Sequence, residues 1–316
     1  MRKIRQLLSR FLFPFGTTIS ILKVGQNSFA EVKKTALRLK ANNDLHSYNR
    51  FINKLSGKKF KRIKFIGHGG ALSTTQTHAI VNHKNNNYFE KIFDLQSRDY
   101  QFLKRHYHFY QELLADKGVN IPALINVYEA ENIAVCHFEF ITKLEPLESK
   151  WTVEGLKALA IFKSIPYAKL EYGKDYTELI LFHKALISIL QAILNDKDTL
   201  LKFIEIKKFI EKQNMVFTHG DFYVLNVFRD QIIDWDDMGF YPYGIDMAFL
   251  LHNAKDVDTS NIDNVYIYIE NLNMTKEEQV GTIYFLILIN QIFSKITYQD
   301  QIKWINRIHD KIESMG

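Results

Sequence analysis

The chain has 316 residues, 47% hydrophobic and 24% charged, with Lys+Arg 41 against Asp+Glu 35 and a formal net charge of +6. That is enough apolar material for one large domain or two lobes. The mild positive balance suits an anionic partner such as a nucleotide or a phospholipid surface without calling for nucleic acid, and no aromatic-basic RNA motif or zinc-finger spacing is present. A single cysteine, Cys136, excludes an internal disulfide and fits a reducing compartment; beside Ala134, Val135 and Phe138 it reads as a buried thiol.

Residues 1–60 read as a helical extension. Ile4, Leu7, Leu8, Phe11 and Leu12 fall at helical spacing, with Arg2, Lys3, Arg5 and Arg10 off that stripe. A basic amphipathic helix over residues 2–15 can lie on an anionic membrane or pack on the protein body. Pro14 and Thr17-Thr18 interrupt the apolar stretch and no small-residue cleavage site follows, so no signal peptide is predicted. No run reaches the roughly 18 apolar residues of a membrane span. A cytoplasmic protein is predicted, with peripheral contact to the inner face of the membrane as an open possibility.

Residues 61–142 read as a strand-rich small lobe. Ile63–Ile66 leads into Gly67-His68-Gly69-Gly70-Ala71-Leu72-Ser73-Thr74 and then Thr77–Val81. Strand, glycine-rich turn, strand is either a plain hairpin or a turn whose backbone N–H groups approach phosphates, with Ser73 and Thr74 as further contacts. The Asn-Lys-rich stretch Asn82–Asn87 reads as a hairpin loop. In Tyr88–Phe93, alternation puts Phe89, Lys91 and Phe93 on one face. A lysine there either snorkels from an edge or meets an anion. Residues 97–117 form one predicted helix, with Leu103, Tyr107, Tyr110 and Leu114 on its buried stripe. Gly118 to Pro122 ends it, and strands Ala123–Glu129 and Ile133–Ile141 follow.

Residues 143–316 are predicted mostly helical: Val153–Phe162, Tyr176–Leu194, Asp198–Lys212 with Asp198 or Thr199 as N-cap, a helix from Gly244 to Asn253, then Ile262–Leu272, Glu277–Ile296 and Gln299–Met315. Leu286, Leu288, Ile289, Ile292 and Phe293 read as core. Inside this region lies VFTHGDFYVLNVFRDQIIDWDDMGFYPYGIDMAFLL, Val216 to Leu251. Three short apolar runs, Val216-Phe217, Asn226–Phe228 and Gln231–Ile233, lead into or out of Asp221, Asn226 and Asp234, so these side chains can converge at one end of a small sheet. Phosphoryl transfer from a nucleotide needs such a set: a carboxylate to orient the attacking hydroxyl, and hard oxygen donors for Mg²⁺. Asp221 is the candidate catalytic base, and Asn226 and Asp234 the candidate metal ligands. His219 reads as a structural hydrogen-bonding residue, and Asp236-Asp237 as a solvated turn in first place, with help to the metal site or attraction of a cationic acceptor as the alternative.

The pattern HGD-x-x-x-x-N at 219–226, IDWDD at 233–237 and Asp246-Met247-Ala248, twelve residues beyond Asp234, resembles the aminoglycoside phosphotransferase and choline kinase group of the protein-kinase-like superfamily. The resemblance extends from Ile63 to Asn253 and is carried by Val216–Leu251. It implies an α+β, bilobal fold: a small antiparallel-sheet N-lobe at 61–142, a mostly helical C-lobe at 143–316, and the helical extension at 1–60. It implies ATP and Mg²⁺, with Asp221 as base, Asn226 and Asp234 on the metal and Asp246 as anchor of the catalytic loop. Lys91 and the turn containing Gly69, Gly70, Ser73 and Thr74 would hold the phosphates. The segment His137–Ile141 would be the hinge between lobes, with Glu139 and Ile141 offering backbone to adenine. Three departures stand out: Phe89 is bulky where adenine approaches, Thr142-Lys143 replaces the glycine after the hinge, and His106 stands where related helices carry the lysine's glutamate. Either His106 or Asp99 is left as the lysine's partner.

What the resemblance implies is phosphoryl transfer to a hydroxyl of a non-protein acceptor, in first place a sugar in cell-surface glycan (lipopolysaccharide or capsule) metabolism. Choline or ethanolamine, for which Trp235, Phe240, Tyr241 and Tyr243 could form a cage, or an aminoglycoside, attracted by Asp256, Asp258 and Asp263, are alternatives. A regulatory pseudokinase is a further one. The missing Arg before Asp221 and the absent DFG argue against a protein kinase.

Overall fold

The structure is a computed structural model that describes residues 29–66, 78–130, 132–141, 151–223, 226–228, 231–254, 257–293 and 296–315. The chain enters through two short helices, α1 (Phe29–Ala41) and α2 (Leu45–Ser56). Asp44 caps α2 by accepting from the Ser47 N–H at 2.9 Å, which satisfies one of the unpaired donors of the first turn. Val32 and Ala36 of α1 and Tyr48 and Ile52 of α2 bury against Ile92, Ile133 and Val135. The amphipathic segment 2–15 and the glycine-rich turn with Gly69, Gly70, Ser73 and Thr74 lie outside the described residues.

Those last three apolar residues belong to an antiparallel sheet of β1 (Lys61–Ile66), β2 (His78–His83), β3 (Asn86–Asp94), β4 (Leu124–Glu129) and β5 (Ile133–Glu139), in spatial order β1-β2-β3-β5-β4. Lys84 and Asn85, at φ 49 and 67, make the tight turn between β2 and β3. Side-chain alternation splits the sheet into two faces. Phe93, Ala134, Cys136 and Phe138 join the main core, whereas Ile92, Ile133 and Val135 face α1 and α2. Helix α3 (Arg98–Asp116), capped by Ser97, buries Leu103, Tyr107, Tyr110 and Leu114, the stripe its periodicity predicted.

The second lobe is helical: α4 (Trp151–Lys163), α5 (Ile180–Ile193), α6 (Lys197–Glu211), α7 (Ile245–His252), α8 (Ile262–Glu270), α9 (Lys276–Ile292) and α10 (Tyr298–Glu313). Residues 279–290 of α9 are all buried, so Leu286, Leu288 and Ile289 are core as predicted, whereas Ile292 is half-buried and Phe293, just past the helix end, is exposed. Gly244, at φ 114, opens α7 where a Cβ would run into the backbone of Gly281 and Thr282 in α9; only glycine allows the approach. The α+β architecture with a small antiparallel sheet, a helical lobe and helices ahead of the sheet is the one the sequence implied.

Several boundaries move. Asp196, not Asp198 or Thr199, caps α6, accepting from the Thr199 N–H at 3.1 Å. The predicted helix 176–194 divides into a 3₁₀ turn, Tyr176–Glu178, and α5, because Leu179 is extended at φ −62, ψ 123. Strand β5 stops at Glu139 rather than Ile141. Near the HGD motif, β6 (Met215–Thr218) pairs with β7 (Gly239–Pro242), a strand whose Gly and Pro hide it from propensity. The runs at 226–228 and 231–233 contribute one bridge, Val227 to Ile232. Among the described residues no helix is long and apolar enough to cross a membrane.

Candidate active site

Strand β6 delivers the chain into the turn His219-Gly220-Asp221, and Asp246 holds that turn from behind. Its carboxylate accepts the His219 backbone N–H at 2.7 Å and the Gly220 N–H at 3.0 Å. Gly220 sits at φ 87 with the Asp237 carbonyl against its α-carbon, where any side chain would collide. The buried His219 ring donates from Nε2 to the Ile233 carbonyl at 2.9 Å and accepts the Asp221 backbone N–H on Nδ1 at 3.2 Å. Burial lowers its pKa to about 4, so the ring is a neutral spacer between the two acidic turns. The structural role read for His219 matches this geometry.

Asn226 sits directly beside Asp221. Its side-chain Nδ2 donates to Asp221 Oδ2 at 3.1 Å and to the Asp221 carbonyl at 2.9 Å. Burial, and then the neighbouring Asp234 carboxylate, push the Asp221 pKa up to about 7. Asp234 stands across the turn at φ 66, ψ 55, a left-handed conformation uncommon outside glycine and asparagine. Strained backbone of this kind is tolerated where a side chain has to be aimed.

Lys91 comes from the other lobe. Its ammonium donates to Asp234 Oδ1 at 2.6 Å and to Asp236 Oδ1 at 2.7 Å. Burial alone would depress its pKa; the carboxylates of Asp234 and Asp236 outweigh that and raise it. The lysine's partners therefore come from the IDWDD turn and not from α3. His106 turns to the Glu171 carbonyl at 2.9 Å, Asp99 forms its ion pair with Lys174 at 2.7 Å, and Glu112 pairs with His108 on the surface. Nor are Asp236 and Asp237 a solvated turn, since Asp237 is held by Lys174 at 3.0 Å. The sequence signal for Asp236 was its place in the acidic run after Asp234, and its pairing with Lys91, 145 residues away, shows only once β3 is placed.

These groups line a cavity of about 240 Å³ between the lobes. Phe89 and Phe138 form apolar walls, Glu139, Phe140 and Ile141 lie at the lobe junction, and Lys91, Asn226 and Asp234 form the polar end. Asp221 adjoins it through Asn226. Lys91, Glu139, Ile141, Asn226 and Asp234, chosen from the sequence, thus share one cavity. Of the aromatic residues weighed as a cation cage, Trp235 lines this cavity, whereas Phe240, Tyr241 and Tyr243 do not. Tyr241 and Trp235 are core side chains, with Trp235 Nε1 donating to the Ile232 carbonyl at 2.8 Å; Phe240 packs on Phe217 and Tyr167, and Tyr243 lies under Lys163. Of the acidic residues considered for a polycation, Asp263 is paired with Lys303 at 3.1 Å, Asp258 bonds Ser260, and Asp256 lies outside the described residues.

The donor set fits a divalent cation. Both side-chain bonds of Asn226 use its nitrogen, leaving Oδ1 as a neutral hard donor, and Asp234 adds an anionic one. Burial, and then repulsion from Asp234, hold Asp236 up at about 6 despite the opposing Lys91. Two carboxylates, Asp234 and Asp236, thus share one ammonium with the Asp221 carboxyl close enough to feel both, a concentration of negative charge that a metal ion relieves.

A clamped HGD turn, a carboxamide beside it, and an acidic turn facing a buried lysine across a two-lobed cleft are the parts of a phosphotransferase. The chain matches the model of the phosphotransferase enzyme family, APH, over residues 76–267, more than half its length, and belongs to that family. It is a phosphotransferase by family. Similar solved structures include aminoglycoside phosphotransferase APH(4)-Ia, 11% identical with a TM-score of 0.51 over 84% of this chain and 98% of that one. Others are choline kinase LicA from Streptococcus pneumoniae (15%, TM-score 0.48, 85% and 99%) and a microcompartment-associated aminopropanol kinase (12%, TM-score 0.47, 78% and 90%). At such identities the first shows the shared fold. No curated protein matches the chain in sequence.

Proposed function

We propose that this phosphotransferase moves the γ-phosphoryl group of ATP, with Mg²⁺, onto a hydroxyl of a sugar in a cell-surface glycan. The observation that carries the reading is the meeting of Lys91, Asn226 and Asp234 around one cavity, with Asp221 hydrogen-bonded to Asn226. ATP would lie with its base between Phe89 and Phe138 and the backbone of Glu139 and Ile141, and with its phosphates toward Lys91. Gly69, Gly70, Ser73 and Thr74 are assigned to the same phosphates on the resemblance. Asn226 Oδ1 and the Asp234 carboxylate would hold Mg²⁺, which supplies charge neutralisation on the phosphate oxygens.

Asp221 aligns the acceptor hydroxyl. As the new oxygen–phosphorus bond forms and the bond to the β–γ bridging oxygen breaks, the hydroxyl proton passes to the Asp221 carboxylate and ADP departs. A pKa near neutrality suits a group that must accept that proton and release it again. The rest of the rate enhancement comes from positioning and preorganised charge.

A neutral, hydroxyl-rich acceptor is favoured because Asp236, Asp237 and Asp263 already have cationic partners and because Phe240, Tyr241 and Tyr243 are packed away from the cavity, leaving Trp235 alone of the cage aromatics on its wall. A quaternary ammonium or a polycation finds less to bind. The intact base and metal donors weigh against a pseudokinase. The deciding experiment is MgATP turnover with sugars, choline, ethanolamine and aminoglycosides as acceptors, alongside Asp221→Asn. Transfer to a sugar that Asp221→Asn lowers by about 10²- to 10⁴-fold, with ATP binding retained, is the expected outcome. Exclusive use of an amino-alcohol would remove the glycan reading, and full activity in Asp221→Asn would remove the base.

A further inference from the structure

The phosphotransfer reading leaves one ionic group without a task. Residues 171–178, between α4 and α5, run along the solvent side of α3 and hold it at several points. Arg98 of α3 donates to the Tyr172 carbonyl at 2.9 Å and to the Gly173 carbonyl, and pairs with Glu178 at 2.7 Å. Arg105 pairs with Glu171 and lies 5.8 Å from the Tyr172 ring centroid. Tyr172 itself is left-handed at φ 62, a conformation that costs a bulky residue energy and so has to be held in place by its contacts.

Lys174 leaves this strap in the opposite direction, inward. Its ammonium meets Asp99, in the first turn of α3, at 2.7 Å and Asp237 at 3.0 Å. Asp99 is nearly buried, its side chain 9% exposed, so the pair is shielded from solvent and from screening. Asp237 closes the 3₁₀ turn Trp235–Asp237 that begins at Asp234, and its carbonyl both accepts the Tyr241 hydroxyl at 3.0 Å and abuts Gly220 of the HGD turn. Lys174 thereby joins α3 of the sheet lobe to the point where the metal turn touches the catalytic turn.

During turnover Lys91 and Asp234 are needed by nucleotide and metal, so their mutual contact cannot also hold the two lobes in register. Resting on the phosphotransfer reading, we propose that Lys174 is a positioning residue: bridging Asp99 and Asp237, it fixes α3 against the Asp234 turn and takes the place of a direct ion pair between α3 and Lys91.

Two measurements test this. Hydrogen exchange of residues 234–241 should quicken at least about tenfold in Lys174→Met, and as much in Asp99→Asn, because either change breaks the same bridge; the double variant should add little to either. Lys174→Arg should restore the wild-type pattern. In kinetics, Lys174→Met should lower kcat/KM for MgATP by about 10- to 100-fold through misplacement of the turn, with Lys174→Arg recovering most of it. A purely structural lysine would lower the melting temperature while leaving exchange in the turn and the kinetics of folded enzyme unchanged. Unchanged exchange at 234–241 in Lys174→Met overturns the inference, whatever the activity. If the unaltered protein fails to turn over MgATP with any acceptor, the phosphotransfer reading falls, and the exchange comparison still decides whether the bridge positions the turn.

Discussion

Glu90 and Lys91 are neighbours on β3, and both are buried charges, yet they face opposite sides of the sheet and meet opposite fates. Glu90 points toward α1 and α2 and is fully enclosed. Arg62 grips it with Nε at 2.6 Å and Nη2 at 2.7 Å, His137 adds a contact at 3.1 Å, and Asn53 takes another Arg62 donor at 2.9 Å. Both side chains of that ion pair are 0% exposed. Lys91 points into the cleft, where its partners Asp234 and Asp236 remain 39% and 26% exposed and outnumber it. One face balances its charges and excludes solvent; the other keeps surplus negative charge at the edge of a cavity. The first arrangement fixes a helix on a sheet, and the second leaves the negative charge that the proposed Mg²⁺ site calls for.

The largest effect that would sharpen this contrast is on the open side. Asp234→Asn keeps a residue that tolerates the left-handed backbone while removing a charge, so the fold should persist. Phosphotransfer should fall about a thousandfold, since metal-borne charge stabilisation contributes several kcal/mol to the barrier; near-wild-type steady-state rates in Mg²⁺ would break the comparison. On the closed side, Glu90→Gln strands Arg62 and should cost about 3–5 kcal/mol of stability in urea unfolding. Protein that stays folded at low temperature should still turn over. An unaltered unfolding midpoint would show that the enclosed pair is not structural.

A smaller effect concerns pH. His219 is held neutral at about 4 when folded, against 6.5 for a free imidazole. At this one site the unfolded chain therefore binds more protons in that window, and the His219 contribution to stability falls as the pH drops from 6.5 toward 4, by up to roughly 3 kcal/mol, against the opposite contribution of the raised carboxyls of Asp221, Asp236 and Asp246. Melting temperatures of wild type and His219→Asn across that range isolate this contribution: relative to wild type, the variant should gain stability as the pH falls from 6.5 toward 4. An equally steep slope in that variant would assign the acid sensitivity to other groups.

Local pattern and tertiary contact divided the information unevenly. The stripe Leu103-Tyr107-Tyr110-Leu114 and the apolar run of α9 were legible because burial imposes a periodicity that a single sequence carries. Asp221, Asn226, Asp234 and Asp246 were legible because the chemistry fixes residue types at short spacings within one segment. Strand β7 was not, since Gly239 and Pro242 carry no strand propensity and it exists only by pairing with Met215–Thr218. Asp196 was not legible as a cap because two further capping residue types, Asp198 and Thr199, follow it, and cap choice depends on backbone angles. Lys174 lies in an irregular segment without period, and nothing local connects it to Asp99 or Asp237.

By itself the sequence determined the strands of the small sheet and the main helices, though not β7, and marked residues that could do acid–base and metal chemistry, because propensity, hydrophobic period and motif spacing are short-range properties. Only the folded chain decided which charges meet: Arg62 with Glu90, Lys91 with Asp234 and Asp236, Lys174 with Asp99 and Asp237. Electrostatic partnership depends on distance and burial in space, and residues 143 positions apart, as Lys91 and Asp234 are, acquire both only when the two lobes close on one another.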